Sequence, residues 1–277
     1  MTLLERARTA PVTYGLAALN VIVFVVLEAE HAMIMNMDVG TLLDAGANEP
    51  LHVWVGEYWR VLTYMFLHVG WLHLVWNIYA SVGFCAAVEG ALGRGRFLGV
   101  YLLSGIGGGC TSAIFGHAVS AGASGALFGI VGAMLALRRR SLPSFAAFFR
   151  DPPTRSILVN IGIWTVIGST ALAMDNAAHF GGLLVGFGAT WMMTARRVGV
   201  WSAIFGAAFA ALLVTAARPW HVPTPGEVKT MTEFAVAYAE GGRGVEQNKA
   251  RGHRFARKAC AAGSATACEI ARETNAQ

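Results

Sequence analysis

The sequence predicts an all-α polytopic membrane protein with a small soluble α-helical tail, and three observations carry that prediction. Of its 277 residues, 55% are hydrophobic and only 13% charged, with a mean hydropathy of +0.52, where a soluble domain carries about 25% charged residues. Seven apolar segments, roughly 11–29, 61–88, 97–118, 121–137, 157–174, 177–195 and 198–217, approach or exceed the ~17–25 residues needed to cross a bilayer. Positive charge collects in alternate loops between them.

Arg6 and Arg8 precede the first segment, and Arg94 and Arg96 separate the second from the third. Arg138, Arg139, Arg140, Arg150 and Arg155 fall between the fourth and fifth, and Arg196 and Arg197 between the sixth and seventh. Loop 30–60 instead holds Glu30, Asp38, Asp44, Glu49 and Glu57 against Arg60, while 116–123 has no formal charge. By the positive-inside rule, residues 1–10 are then a cytoplasmic N-terminus and the tail is extracytoplasmic. The net charge of +5 is a topological signal, and no nucleic-acid partner is expected. The domain reading is a six-helix membrane domain over 11–197, a seventh transmembrane helix over 198–217 and a helical tail over 218–277.

The first segment follows basic residues as a signal peptide would. No small-x-small site follows it, so it reads as a retained anchor. Loop 30–60 ends Glu57-Tyr58-Trp59-Arg60. A loop of that length is often functional or partly structured, and Trp54, Tyr58 and Trp59 suit a membrane interface. An interfacial anchor and a substrate contact both stay open.

The second segment carries His68, His73 and Asn77. His73 and Asn77 are four apart and share a helix face. Strongly polar side chains in a span face the protein interior or water, either as interhelical glue or as a site. Glu89, ~24 Å along the helix from His73, lies near Arg94 and Arg96 on the cytoplasmic side. The three read as a structural clamp. Cys85 and Cys110, in apolar segments, read as packing residues.

The fourth segment is short. Ser124 to Arg138 is ~21 Å of helix against a ~30 Å core. Either it fails to span, or its helix starts below the outer surface and loop 116–123 dips in after it. Irregular backbone at depth must be buried in protein or line a water-filled cavity, so the second option puts Ser124 at a cavity floor. Gly125, Gly129 and Gly132 follow at i, i+4 and i+7 spacing, and His179, Gly182 and Gly186 at i, i+3 and i+7. Two such smooth stripes suit each other, and pairing them makes Ser124 and His179 neighbours. His179 lies ~25 Å above Arg196, so His73, Asn77, Ser124 and His179 share one side and a similar depth.

In the tail, Pro219, Pro223 and Pro225 form a linker, and 226–240 and 247–262 have helical composition. Cys260 and Cys268, on the oxidising side, form a disulfide or remain two thiols on helices.

Ser124 beside His179 is the minimum for nucleophilic acyl chemistry, because a serine hydroxyl attacks only when a neutral imidazole takes its proton. Asp175 is the nearest carboxylate in sequence but lies closer to the surface, which makes a dyad the simpler account. Oxyanion donors are available in His73, Asn77 and the Ser124 backbone N–H.

Gly122-Ala123-Ser124-Gly125, His73 with Asn77, Asp175-Asn176-Ala177-Ala178-His179-Phe180-Gly181-Gly182 and Trp59-Arg60 together resemble the rhomboid intramembrane serine proteases over about 55–197. The resemblance implies a six-helix bundle with Ser124 as nucleophile, His179 as base and an oxyanion site at His73 and Asn77. It implies cleavage of transmembrane proteins near the extracytoplasmic face, without metal, nucleotide or other cofactor. Trp59-Arg60 is similar to the motif of the family's first outer loop, and Glu89 with Arg94 and Arg96 to its cytoplasmic cluster. Many members carry Tyr four residues after the nucleophile; here Phe128 keeps the ring and loses the hydroxyl. The tail run Tyr238-Ala239-Glu240-Gly241-Gly242-Arg243-Gly244-Val245, with Ala259-Cys260 and Ala267-Cys268, resembles one Sel-like, TPR-like repeat, which implies a protein partner.

The expectation is therefore an intramembrane serine endopeptidase of a bacterial inner membrane acting on transmembrane substrates. A non-catalytic binding or quality-control factor on the same scaffold is the alternative. A transporter or channel fits less well, since no charged residue sits at mid-depth.

Overall fold

The computed structural model describes residues 8–31, 37–116, 118–170, 174–195, 199–217, 221–242 and 244–273. Arg6, Arg196 and Arg197 of the orientation argument, Pro219 of the linker and Arg243 of the repeat lie outside them. Among the described residues the chain is helical, and its one β-type pairing is a bridge between Asn48 and Ser120.

Helix α1 is Pro11–His31. A helix start leaves N–H groups without acceptors, and Glu89 supplies one: its carboxylate accepts from Val12 N (3.1 Å), Thr13 N (2.8 Å) and Thr13 Oγ1 (2.8 Å). This corrects the expected clamp. Glu89 makes no ion pair with Arg94 or Arg96 among the described residues, because its oxygens are turned to α1, where the helix dipole also favours a negative charge.

The stretch 37–60 folds into two short helices, α2 (Val39–Ala45) and α3 (Pro50–Trp54), started by the side chains of Asp38 and Glu49. The expected continuous segment 61–88 is instead broken. Arg60–Thr63 (α4) and a tighter turn, Tyr64–Phe66, come first. Leu67 and Gly70 are extended, and the long helix α5 runs Trp71–Leu92 with a π-type turn at Ser81–Cys85. His68 thus lies in a connection and not on the helix of His73. The physical cause is burial of Tyr64 and Met65 in the core, with the Tyr64 hydroxyl donating to Gly105 O at 2.9 Å. A helix unbroken from residue 60 would carry that ring away.

Helix α6 (Arg94–Phe115) is the central rod, and α7 (Ser124–Ser141) and α10 (Asn176–Met193) pack along it. Between them lie the short α8 (Phe145–Arg150) and α9 (Pro152–Thr170). Arg138 grips both oxygens of Asp151, which also caps α9 through Thr154 N (3.0 Å) and Thr154 Oγ1 (2.8 Å). Phe97, Val100, Tyr101, Ala126, Ile130 and Ala133 form the centre of the core.

Among the described residues, Pro11–Glu30, Trp71–Leu92 and Arg94–Phe115 are long and apolar enough to cross a membrane. The other expected crossings are α7, α9, α10 and α11 (Val200–Ala216), the last apolar but only 17 residues long. Leu72, Val75, Trp76 and Tyr79 on α5, Val159 and Val166 on α9, and Val200 and Trp201 on α11 face outward. An apolar exterior of this extent suits lipid, not water.

The tail has a third helix beyond the two expected: α12 (Pro225–Glu240), α13 (Lys249–Ala261) and α14 (Ala265–Glu273). A capping box joins Thr224 and Glu227, and Cys260 and Cys268 are disulfide-bonded with Cα atoms 4.6 Å apart. The tail does not stand alone. Met231, Ala235, Tyr238, Phe255 and Ala259 share one apolar cluster with Leu51, Trp54 and Val55 of the 37–60 stretch. Trp54 is accordingly no lipid-interface residue: it is 5% exposed, beneath Lys258 Nζ at 4.5 Å from the ring centre. Tyr58 and Trp59 do remain exposed.

Candidate active site

Ser124 is the first residue of α7, after Ala123 as N-cap. Gly122 has φ 136°, a left-handed value that turns the chain into the helix and that a side chain would strain. Its N–H donates to Tyr64 O at 2.9 Å. A Cβ there would stand 2.6 Å from His73 Cε1 and 2.9 Å from Nε2, so the His73 ring lies directly over the backbone that leads to Ser124.

His179 sits in the first turn of α10, whose start is capped by Asp175 accepting from Ala178 N at 3.0 Å. Its Nε2 is 2.8 Å from Ser124 Oγ. Helix contact makes this approach feasible. A Cβ at Gly182 would overlap Gly125 O, and one at Gly186 would overlap Gly129 O, so α7 and α10 touch backbone to backbone for two turns below the pair. Phe128, one turn below Ser124, stacks on the imidazole with centroids 4.2 Å apart and planes 4° from parallel. Asn176 ties the start of α10 to α9, donating to Thr165 O (3.2 Å) and Ser169 Oγ (2.6 Å).

His179 Nδ1 is buried without a hydrogen-bond partner among the described residues, and so is Asp175 Oδ2; the cap uses Oδ1 alone, and no hydrogen bond joins the Asp175 carboxylate to the imidazole. Asn77 is buried on α5, with its amide donating to His73 O at 2.8 Å and its Oδ1 unpartnered. His68, in the 67–70 connection, stands edge-on to His73 at 5.2 Å. As the first residue of a helix, Ser124 also offers a backbone N–H that has no helical acceptor.

Arg60 and Trp59 serve a different part of the fold. Arg60 is wholly buried and donates to Leu43 O and Ala47 O (2.7 Å each) and to Glu57 (2.6 Å). The Trp59 ring covers Gly46. They hold the 37–60 stretch in shape and do not touch Ser124.

Sequence reasoning missed Tyr64 and Asn48. Tyr64 supports the turn before Ser124 through its carbonyl. Asn48 exchanges backbone hydrogen bonds with Ser120 (2.9 and 2.8 Å) and donates to Gly109 O at 2.9 Å. An asparagine following the small residues Ala45-Gly46-Ala47 was the only signal.

A family model described as Rhomboid domain matches residues 55–196, just over half of the chain. The chain belongs to the rhomboid family. It is a membrane protein with an all-α bundle, consistent with its outward apolar faces. Rhomboid protease GluP of Bacillus subtilis (strain 168) is 33% identical over 236 residues, covering 83% of this chain and 44% of that protein. RHOMBOID-like protein 5 of Arabidopsis thaliana is 34% identical over 158 residues, 56% of this chain and 50% of that one. Rhomboid-like protease 2 of Toxoplasma gondii is 33% identical over 152 residues, 54% and 52% respectively. The chain spans about half the length, or less, of these relatives. The rhomboid match takes in Trp59, Arg60, His73, Asn77, Ser124 and His179, and ends before α11 and the tail.

Proposed function

We propose that this rhomboid-family protein is an intramembrane serine endopeptidase with Ser124 as nucleophile and His179 as general base and acid. The observation that carries the reading is the 2.8 Å contact between His179 Nε2 and Ser124 Oγ, with Phe128 stacked on the imidazole. The relatives named as proteases support the same class.

In the proposed reaction, Nε2 of neutral His179, with its proton on Nδ1, accepts the Ser124 proton as Oγ bonds to the scissile carbonyl carbon. The carbonyl oxygen becomes an oxyanion and takes hydrogen bonds from the Ser124 backbone N–H, His73 and the second N–H of Asn77. One such donor is worth ~2.7–4 kcal/mol. The imidazolium returns the proton to the leaving amine as the C–N bond breaks. Water, deprotonated by His179, then cleaves the acyl-serine ester and restores both residues. The reading is a dyad, in which no carboxylate hydrogen-bonds Nδ1 among the described residues.

The substrates are transmembrane proteins entering from lipid. The positive-inside pattern supports a cytoplasmic N-terminus, and Ser124, at the opposite end of its helix from Arg138–Arg140, supports cleavage near the extracytoplasmic face; the membrane in this reading is a bacterial inner membrane. In this reading α11 is a seventh span, and it returns the tail to the side of the 37–60 stretch on which it packs. The Sel-like features of α12 and α13 support a protein-contacting tail whose surface facing the 37–60 stretch is already occupied.

Labelling with a fluorophosphonate tests the reading. Folded wild type is expected to label, and Ser124→Ala and His179→Ala to lose labelling and cleavage of a model transmembrane substrate at unchanged expression. Full activity in either variant would sink the mechanism.

A further inference from the structure

The tail meets the 37–60 stretch through charge as well as apolar contact. Arg251 of α13 donates to Glu57 Oε1 (2.9 Å) and to Asp44 Oδ1 (2.7 Å), and Arg254 pairs with the same Glu57 oxygen. Asp44 also accepts from Glu246 N at 2.6 Å. Arg251 is 8% exposed, Glu57 3% and Arg60 0%, so these three charges form the dry part of a seam whose rim is the Arg254 side chain, 42% exposed. Such charges depend on their partners, because taking one away leaves another buried and uncompensated.

The seam continues toward the reacting atoms. Glu57 Oε2 accepts from Arg60 Nε (2.6 Å), and Arg60 Nη1 holds the carbonyls of Leu43 and Ala47. Thr63 Oγ1 holds Gly46 O at 2.7 Å. The next residue after Ala47 is Asn48, whose N–H and C=O pair with Ser120. Two residues after Ser120, Gly122 lies under His73; two further stands Ser124. Every step from α13 to the approach to Ser124 is a hydrogen bond, an ion pair or one to two peptide units.

We propose that the C-terminal tail positions the reacting centre, with Arg251 as the positioning residue: by holding Glu57 against Arg60 it fixes Asn48, and through Asn48 the backbone of 120–123 that sets Ser124 beneath His73. The proposal rests on the serine-peptidase reading of Ser124. Arg251 touches neither substrate nor Ser124. Its work is preorganisation, and small errors in placing a nucleophile are costly. The fork geometry matters, since a guanidinium serves Glu57 and Asp44 together where an ammonium is a single point.

The test uses the full-length protein in detergent or proteoliposomes. Three quantities are read: the rate of Ser124 labelling by a fluorophosphonate per folded molecule, kcat and KM for a model transmembrane substrate, and hydrogen exchange of the 118–123 amides. Arg251→Ala is expected to slow labelling and kcat by about tenfold while KM stays within about twofold, and to speed exchange at Ser120 about tenfold. Arg251→Lys restores part of each loss. Arg257→Ala, which removes an exposed charge from the same helix, leaves all three at wild-type values. If Arg251→Ala does not accumulate as folded protein, Glu57→Gln is read in its place with the same expectation. Labelling at the wild-type rate overturns the proposal, as does slower labelling with unchanged exchange at Ser120. Should folded wild type fail to label at all, the peptidase reading fails, while the exchange arm still decides whether Arg251 holds the 120–123 backbone.

Discussion

Gly182→Ala adds one methyl group where α7 and α10 touch. Its Cβ would overlap the Gly125 carbonyl oxygen, which is main chain in the first turn of α7 and cannot rotate away. The strain is relieved only by moving the helices apart, and reaching even the shortest tolerated carbon–oxygen contact takes a displacement of at least about 1 Å. Gly182 is three residues below His179, ~4.5 Å along α10, so the imidazole moves with it. A shift of that size takes Nε2 from 2.8 Å to about 3.8 Å from Oγ, beyond hydrogen-bond reach. The expected loss in fluorophosphonate labelling is about 100-fold, the scale set by an ångström of misplacement. Thermal unfolding should fall by an amount typical of overpacking, about 1–3 kcal/mol, leaving the protein folded at room temperature. Gly162→Ala on α9, where a Cβ meets nothing within 4 Å, is the control and should label as wild type. Labelling of Gly182→Ala within about threefold of wild type would refute the argument that backbone contact sets the pair's geometry.

Three further outcomes follow from other contacts. Phe128→Ala removes the ring stacked on His179 and should slow labelling by about tenfold, the upper end of a stacked aromatic pair's ~0.5–1.5 kcal/mol, while Phe128→Tyr should stay near wild type; equal rates for all three would deny the ring a role. Glu89→Ala leaves Val12 N, Thr13 N and Thr13 Oγ1 without their acceptor and should cost about 1–3 kcal/mol of thermal stability, whereas Arg94→Ala with Arg96→Ala should cost little; the reverse ranking would reinstate an acid–base clamp. Docking of the tail should weaken as pH falls. Burial lowers the pKa of His52, outweighing the pull of Glu49, so the unfolded chain binds a proton that the fold refuses and stability drops once pH goes below about 6.5. Burial alone would raise the pKa of Glu57, but the charges of Arg60 and Arg251 outweigh it and the net shift is downward, so its contribution is present above about 4.3 and is lost on going lower. Hydrogen-exchange protection in α12 and α13 from pH 7.5 down to 3 reads both steps, and protection that is flat or rises on acidification would contradict them.

How much of this was legible depended on whether the cause was local. The distance from Ser124 to Arg138 is a count along one chain, and the glycine spacings on α7 and α10 are helix geometry. Both pointed to a close pair of helices with a serine at one start and a histidine at the other. The break at Leu67–Gly70 was not legible, because nothing between 61 and 88 forbids a helix; the break is caused by Gly105 and its neighbours on α6, which give Tyr64 a place to bury. Glu89 was matched to the nearest cations in sequence, while its partner was a helix start 76 residues away. Trp54 carried the composition of a lipid-interface residue and is covered by Lys258 and the tail. Contacts with partners hundreds of residues distant leave no trace in local spacing.

The Arg251–Asp44 pair joins residues 207 apart. A ribosome adding about 5–20 residues per second needs roughly 10–40 s to cover that distance. Throughout that interval the 37–60 stretch has already been made and its grip has not. A half-finished copy holds a serine with no imidazole for the first 55 residues after it. If Arg251 positions Ser124 as proposed, the order of synthesis sets the order of assembly: the serine is made first, its imidazole 55 residues later, and the cation that steadies the approach to both only with α13.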